Sequence, residues 1–292
     1  MPHPDAEVDM LVLAETAYAK VNVALHVRHR RSDGYHALES LFVFADHGDT
    51  LSGRATDDGA IDLVIDGPFG AALDAGADNL VMKAARALQS FLGEQRGATI
   101  RLTKKLPVAS GIGGGSADAA AALRLLARLW DVRIGETELA GLALDLGSDV
   151  PACVSSVTQL VKGRGEVLRR HDVTGLASMA MLLVNPGVAV ATGSVFAGWD
   201  RQDRGALDAD SLDTLVRDGR NDLEAPAIAL APSIAMVLSM LDEQQGLVVA
   251  RMSGSGATCF ALFDTDAALA AAADNVRTAH PAWWVMETRI RA

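Results

Sequence analysis

Apolar and polar residues alternate with a period of two over residues 16–27. Ala17, Ala19, Val21, Val23, Leu25 and Val27 fall on one side, and Tyr18, Lys20, Asn22 and His26 on the other. That period predicts a half-buried strand with a solvated polar face. A basic, glycine-containing loop over 28–36 precedes a second expected strand at 38–44, and 61–65 and 99–102 read as two more, flanking a helix over 79–92. Ala119, Leu123, Leu126 and Trp130 share one stripe, so a helix is expected to end near Trp130, with a shorter one over 136–146. A turn is predicted at Gly147-Ser148-Asp149-Val150-Pro151, then strands around 158–161, 167–172 and 179–184. Helices follow at 211–216, 221–225 and 228–244, strands at 247–252 and 258–263, and an alanine-rich helix from about 266. Strands and helices mix without regular βαβ alternation, which predicts an α+β fold rather than a doubly wound sheet.

The 292 residues admit one large or two medium domains. The pattern is least regular over 165–178, which divides an N-terminal domain, 1–170, from a C-terminal one, 171–292. Half the residues are hydrophobic, enough for a substantial core. The net charge of −11, from 26 basic and 37 acidic side chains, argues against nucleic acid or an anionic membrane as partner. It leaves room for a small anionic substrate in a locally positive cleft. Cys153 and Cys259 stand far apart in apolar settings, which excludes a disulfide scaffold and a metal-ligand spacing. Residues 1–10 lack the basic and apolar regions of a signal peptide, and the greasy stretch 225–241 is too short for a span and interrupted by Pro226 and Pro232. A reduced, cytoplasmic, soluble protein is expected.

The densest chemical signal is Leu106-Pro107-Val108-Ala109-Ser110-Gly111-Ile112-Gly113-Gly114-Gly115-Ser116, which runs into Ala117-Asp118-Ala119-Ala120. Glycines let backbone N–H groups approach a ligand closely, and a helix N-terminus just beyond adds unpaired donors and a partial positive charge. Together these suit a phosphate. Ser116 follows Gly115 with no lysine, so this is not a Walker A loop. Ser116 also stands where a G-x-G-x-x-G counted from Gly111 needs glycine. A flexible linker is the plain alternative, although linkers rarely open directly into a core helix.

Other candidates are ambiguous one by one. Lys20 and Asn22 suit a solvated strand face, and Asp149 suits a turn-forming role. Tyr35 and His36 suit surface packing, Lys104 and Lys105 an exposed strand end, and Ser253-Gly254-Ser255-Gly256-Ala257 a hairpin turn.

In combination, Ala17-Tyr18-Ala19-Lys20-Val21-Asn22, the glycine segment and 253–257 resemble the three signature motifs of the GHMP small-molecule kinases. Arg30-Arg31-Ser32-Asp33-Gly34-Tyr35-His36 and the 147–151 turn resemble, within that family, the branch whose acceptor is a cytidine-diphosphate-linked methylerythritol. Asn185-Pro186-Gly187-Val188, 192–196 and Asn221-Asp222-Leu223-Glu224 point the same way. The resemblance implies an N-terminal α+β domain with the glycine loop, a ferredoxin-like C-terminal domain, and an active site between them. It implies ATP as phosphoryl donor, with Mg²⁺ as its companion, and transfer to the acceptor's 2-hydroxyl in the non-mevalonate route to isoprenoid precursors. Asp149 matches the catalytic aspartate and Lys20 its partner. Lys104 (or Lys105), Pro107, Val108, Ala109, Ser110, Gly111, Ile112, Gly113, Gly114, Gly115 and Ser116 match the ATP-binding segment. Asn22, Tyr35, His36 and Phe196 match the acceptor site, with Tyr35 and Phe196 sandwiching the cytosine. The implied partners are these two small molecules, to a monomer or weak homodimer. Tyr18 stands where the family usually has proline, and Ala37 and Ala109-Ser110 also depart from its pattern. Two other readings stay open: a family kinase for homoserine, mevalonate or a sugar, and a nucleotide-binding module without turnover.

Overall fold

The structure, a computed structural model, describes residues 12–292; the reading of residues 1–10 lies outside them. Two long strands, β1 (Leu13–Arg30) and β2 (His36–Thr56), form an antiparallel hairpin. β2 is the hub of a six-stranded sheet in the order β3-β4-β2-β5-β6, with β1 also on β2. Its far half pairs with β4 (Gly97–Thr103) and its near half with β5 (Gln159–Gly163), which continues into β6 (Val167–Arg170). β3 (Ile61–Asp66) runs parallel to β4 and reaches it through α1 (Leu80–Leu92). Asn79 starts that helix by accepting from the Val81 N–H, and Gly93 ends it in the left-handed conformation.

α2 (Gly114–Leu129), α3 (Glu136–Leu144) and α4 (Val150–Ser155) cover one face of this sheet. Most of α2 from Ala117 to Ala127 is buried, so the stripe read from the sequence is wider than expected. Its alanines make that possible: short side chains let neighbouring elements approach on nearly every side.

The second sheet is antiparallel in the order β10-β7-β9-β8. Its strands are β7 (Ala180–Asn185), β8 (Leu247–Met252), β9 (Cys259–Phe263) and β10 (Trp284–Arg289). Between β7 and β8 lie α5 (Thr192–Ala197), α6 (Leu212–Asp218), α7 (Glu224–Leu230) and α8 (Ser233–Asp242); α9 (Asp266–Ala279) precedes β10. This order is the split βαβ arrangement of a ferredoxin-like unit, with extra helices in its first crossover.

The first sheet draws on strands up to Arg170 and the second on strands from Ala180 onward, but one apolar cluster spans both. Ala19, Val21, Val23, Leu41 and Val43 pack with Met181, Leu183, Phe260 and Leu262 in one cluster spanning both sheets. That packing overturns the half-buried reading of β1, since every residue from Ala19 to Val27 is buried. Lys20, Asn22 and His26 are therefore enclosed rather than solvated. Register shifts after Tyr18, Asn22 and Val27 also break the regular alternation. The remaining differences are local. Residues 150–155 continue the predicted turn into a helix, 192–197 are helical, Pro232 separates α7 from α8, and β10 adds an edge strand absent from the periodicity reading.

Candidate active site

The glycine loop enters α2 between two tight neighbours. Gly111 has φ +79°, and a Cβ there would lie 2.4 Å from the Ser253 carbonyl oxygen. Gly113 has φ +63°, and a Cβ there would lie 3.0 Å from Lys20 Cε. Glycine is thus demanded by both conformation and space. Gly114, Gly115 and Ser116, the first turn of α2, line an open cleft of about 800 Å³. Their backbone N–H groups have no acceptor within the helix, and the N-terminal dipole favours an anion there.

Hydrogen bonds tie the loop to the other two motif segments. The Lys20 N–H donates to the Ile112 carbonyl (3.0 Å), and the Thr258 N–H donates to that of Ser110 (3.1 Å). Ser253 Oγ accepts from the Asn22 N–H (3.0 Å) and donates to the Gly111 carbonyl (3.0 Å). Segments near 20, 111 and 253 thereby form one backbone junction.

Lys20 reaches the cleft from this junction. Its Nζ lies 3.0 Å from Asp149 Oδ2, donates to Asn22 Oδ1 (2.8 Å), and sits 4.3 Å from the centre of the Phe42 ring. The Asn22 amide donates in turn to Ser40 Oγ (2.9 Å), so Asn22 orients the lysine as well as lining the cleft. Asp149 stands at the N-terminus of α4, yet its side chain makes no capping bond. Its carboxylate is one-third exposed, against 4% for the Lys20 side chain. A buried cation thus holds a carboxylate that faces open space.

At the other end of the cleft, the His36 ring stacks on Phe196 at 4.9 Å and meets Trp199 edge-on at 5.6 Å. Burial, reinforced by the charge of Arg30, lowers the His36 pKa below its ordinary value. The Phe196 face next to His36 is already covered by that imidazole ring. Tyr35 is 58% exposed, with the Arg164 guanidinium 5.1 Å from its ring centre.

The cleft gathers Lys20, Asn22, Tyr35, His36, Ala109, Ser110, Gly111, Gly113 to Ser116, Asp149 and Phe196. Four expected nucleotide-site residues do not line it. Pro107 is buried, with its carbonyl accepting from Ser110 Oγ (2.7 Å), and the Ile112 side chain is fully enclosed between the sheets. Val108 is 37% exposed outside the cleft.

Lys104 departs furthest from the sequence expectation. It is 2% exposed, and its Nζ donates to Asp49 Oδ2 (2.5 Å) and Asp118 Oδ2 (2.6 Å). Asp49 Oδ1 accepts the N–H groups of Lys105 (2.5 Å) and Leu106 (2.8 Å). Lys104 is thus a brace joining the entrance of the glycine loop to α2 rather than a cleft-facing cation. Burial alone would lower its pKa, but the two carboxylates outweigh that effect and raise it. Burial pushes the Asp118 carboxyl up to about 7 against the pull of Lys104, with Asp49 adding to the rise.

Periodicity did not single out Trp199, Thr192, Arg30, Arg164 or Arg201, all of which line the cleft. Arg164, Gly165 and Glu166 form the turn between β5 and β6. Among the described residues no group of three or more His, Cys, Asp or Glu side chains could cage a metal. Asp149 is the acidic side chain on the cleft, and Ser116 is nearby on the loop. That sparse oxygen donor set suits a hard cation carried in on phosphate oxygens. Among the described residues no helix is long and apolar enough to cross a membrane.

The sequence matches the GHMP kinases N terminal domain over residues 79–156 and the GHMP kinases C terminal domain over 204–282. It is 50% identical over 279 residues to a 4-diphosphocytidyl-2-C-methyl-D-erythritol kinase of Rhizorhabdus wittichii, covering 95% of this chain and 94% of that protein. A crystal structure of 4-(cytidine 5'-diphospho)-2C-methyl-D-erythritol kinase superposes with a TM-score of 0.81 at 29% identity, over 96% of this chain and 100% of that one. A homoserine kinase from Cytophaga hutchinsonii superposes at 0.72 with 19% identity, over 100% and 98% respectively, which shows a shared fold alone.

Proposed function

The chain belongs to the GHMP kinase family, among its 4-diphosphocytidyl-2-C-methyl-D-erythritol kinases, and on that footing we propose how its cleft performs the transfer. ATP places its triphosphate along Ala109 to Ser116, over the N-terminus of α2. The cytidylylated methylerythritol lies along the opposite wall, with its base beside Tyr35, His36 and Phe196 and its 2-hydroxyl beside Asp149. The Asp149 carboxylate takes the hydroxyl proton as the oxygen attacks the γ-phosphorus. The bond from that phosphorus to the bridging oxygen breaks, and ADP leaves. Lys20, 3.0 Å from Asp149, holds the carboxylate in place and offsets charge on the reacting oxygens. Mg²⁺ carried on the phosphates would meet Asp149 and Ser116 and neutralise part of the phosphate charge.

The observation that carries this reading is the 3.0 Å Lys20–Asp149 pair in the same cleft as the exposed first turn of α2. Phosphoryl transfer asks for this kind of positioning and electrostatics. The aromatic groups at the far end favour a pyrimidine-bearing acceptor over homoserine or mevalonate, which offer nothing to stack. A cytoplasmic setting supplies ATP and suits two buried free thiols, Cys153 and Cys259. A coupled assay of ADP release tests the assignment. Release with the cytidylylated methylerythritol and none with homoserine or mevalonate is expected; the reverse pattern overturns the acceptor.

A further inference from the structure

The charges lining the cleft are at odds with those of the whole chain. On a protein of net charge −11, the cleft presents Lys20, Arg30, Arg164 and Arg201 against one carboxylate, Asp149. Lys20 is committed to Asp149 and Asn22. The three arginines serve neither the carboxylate nor the glycine loop.

Arg30 lies directly opposite His36 across the β1–β2 hairpin and has no ion-pair partner among the described residues. Its neighbour Arg31, by contrast, is tied to Asp33 at 3.0 Å. Arg201 follows the Trp199 that meets His36 edge-on, and it likewise has no acidic partner among the described residues. Its backbone sits at φ +63°, a conformation that costs energy for any residue but glycine. Arg164 rides over Tyr35 at the tip of the β5–β6 turn; its backbone N–H donates to the Glu166 carboxylate, but its guanidinium makes only a loose 4.0 Å ion pair with that group. This turn rests against the residue before Asp149: a Cβ on Gly165 would lie 3.3 Å from Ser148 Cβ.

We propose that Arg30, Arg164 and Arg201 form a cationic collar that binds the diphosphate of the acceptor, between the aromatic groups that receive its base and the Lys20–Asp149 pair that receives its hydroxyl. The inference rests on the acceptor proposed above. A nucleoside diphosphate brings negative charge into a cleft whose other phosphate seat is taken by ATP. Guanidinium groups match phosphate oxygens with paired donors. Arg30 stands opposite His36 and Arg164 over the Tyr35 ring, and neither belongs to the glycine loop, which assigns the collar to the acceptor rather than the nucleotide. The acceptor is then recognised as a phosphate ester of a nucleoside, not merely as a pyrimidine.

Competition by CDP and by cytidine against the cytidylylated acceptor tests the collar in the full-length enzyme. Wild-type enzyme should bind CDP more tightly than cytidine, by about tenfold for each charge-assisted contact made. Arg30→Gln, Arg164→Gln and Arg201→Gln should each narrow that gap several-fold, and the triple variant should bring it close to one. The KM for ATP should stay unchanged. All three side chains are exposed, so the variants should melt like the wild type. Equal weakening of CDP and cytidine, or a rise in the KM for ATP instead, would overturn the collar while leaving the acceptor assignment intact. Failure of both CDP and cytidine to compete with wild-type enzyme would overturn both.

Discussion

The Lys20 N–H donates to the carbonyl of Ile112, at 3.0 Å, so the strand carrying the buried cation and the loop suited to phosphate share a backbone hydrogen bond. Any shift of the loop is therefore felt at Lys20, and through it at Asp149, whose Oδ2 lies 3.0 Å from the amine. The loop and the Lys20–Asp149 pair are thus tied together at the point where two substrates must be aligned.

Replacing Asp149 with alanine should lower kcat by roughly 10²–10⁴-fold, the usual contribution of a positioned base. Its side chain is one-third exposed and caps no helix, so folding and the KM for ATP should change little. Steady-state kinetics with both substrates varied, alongside a melting curve, check this. Turnover near the wild-type value would place the base elsewhere.

Gly113→Ala isolates the coupling between loop and lysine. The new methyl would crowd Lys20 Cε at 3.0 Å in a backbone conformation with φ +63°. The left-handed conformation alone costs about 1–2 kcal/mol. We expect a lower melting temperature together with a fall in kcat larger than any change in the acceptor KM. A kcat that is unaffected would mean that Lys20 can move without consequence.

Tyr35→Ala should act on acceptor binding alone. The ring is 58% exposed, so little folding energy depends on it. Stacking on a base is worth about 1–3 kcal/mol, which predicts a rise of roughly 5- to 150-fold in the acceptor KM. An unchanged KM would leave the base against Phe196 and His36 without a second aromatic face.

Lys104→Met tests whether this lysine is a brace. Removing it strands the carboxylates of Asp49 and Asp118, both nearly fully buried. Breaking a buried ion pair in this way typically costs about 3–5 kcal/mol. Denaturant melts should show that loss, and the double variant Lys104→Met/Asp118→Leu should recover part of it. A variant that melts normally but has a raised KM for ATP would return Lys104 to the nucleotide.

Stability should also depend on pH through Asp118. Its folded-state pKa is raised to about 7 from an ordinary 3.8, so across that interval the folded chain holds a proton that the unfolded chain releases. This contribution therefore falls as pH rises from about 4 to 7, and the cost is fully present above the folded value. Asp118→Asn should flatten that part of the stability profile. An identical slope in the variant would assign the proton to another group.

Much of the architecture is legible in short windows of sequence. The helices over 79–92 and from the glycine loop to Trp130, and the strands around 61–65, 99–102 and 258–263, are set by local period and by capping residues such as Asn79. The glycine run is equally local, because its conformation depends on missing Cβ atoms. What these windows conceal is which polar face becomes enclosed. Lys20 and Lys104 both lie on strand-like segments where lysine is ordinarily solvated, yet one faces a cleft from within the core and the other is sealed between two aspartates.

By itself, the chain's order of residues determined most of the elements, the phosphate-suited loop and the family motifs, since these depend on neighbours a few positions apart; α4, α5 and β10 escaped it. Only tertiary structure decided that Asp149 pairs with Lys20 instead of capping α4, that Lys104 braces the loop, and that Arg30, Arg164 and Arg201 converge on one cleft. The reason is physical. Burial and charge pairing are properties of surfaces brought together by packing, and β1, enclosed by the core shared between two sheets, acquires its environment only when both are in place.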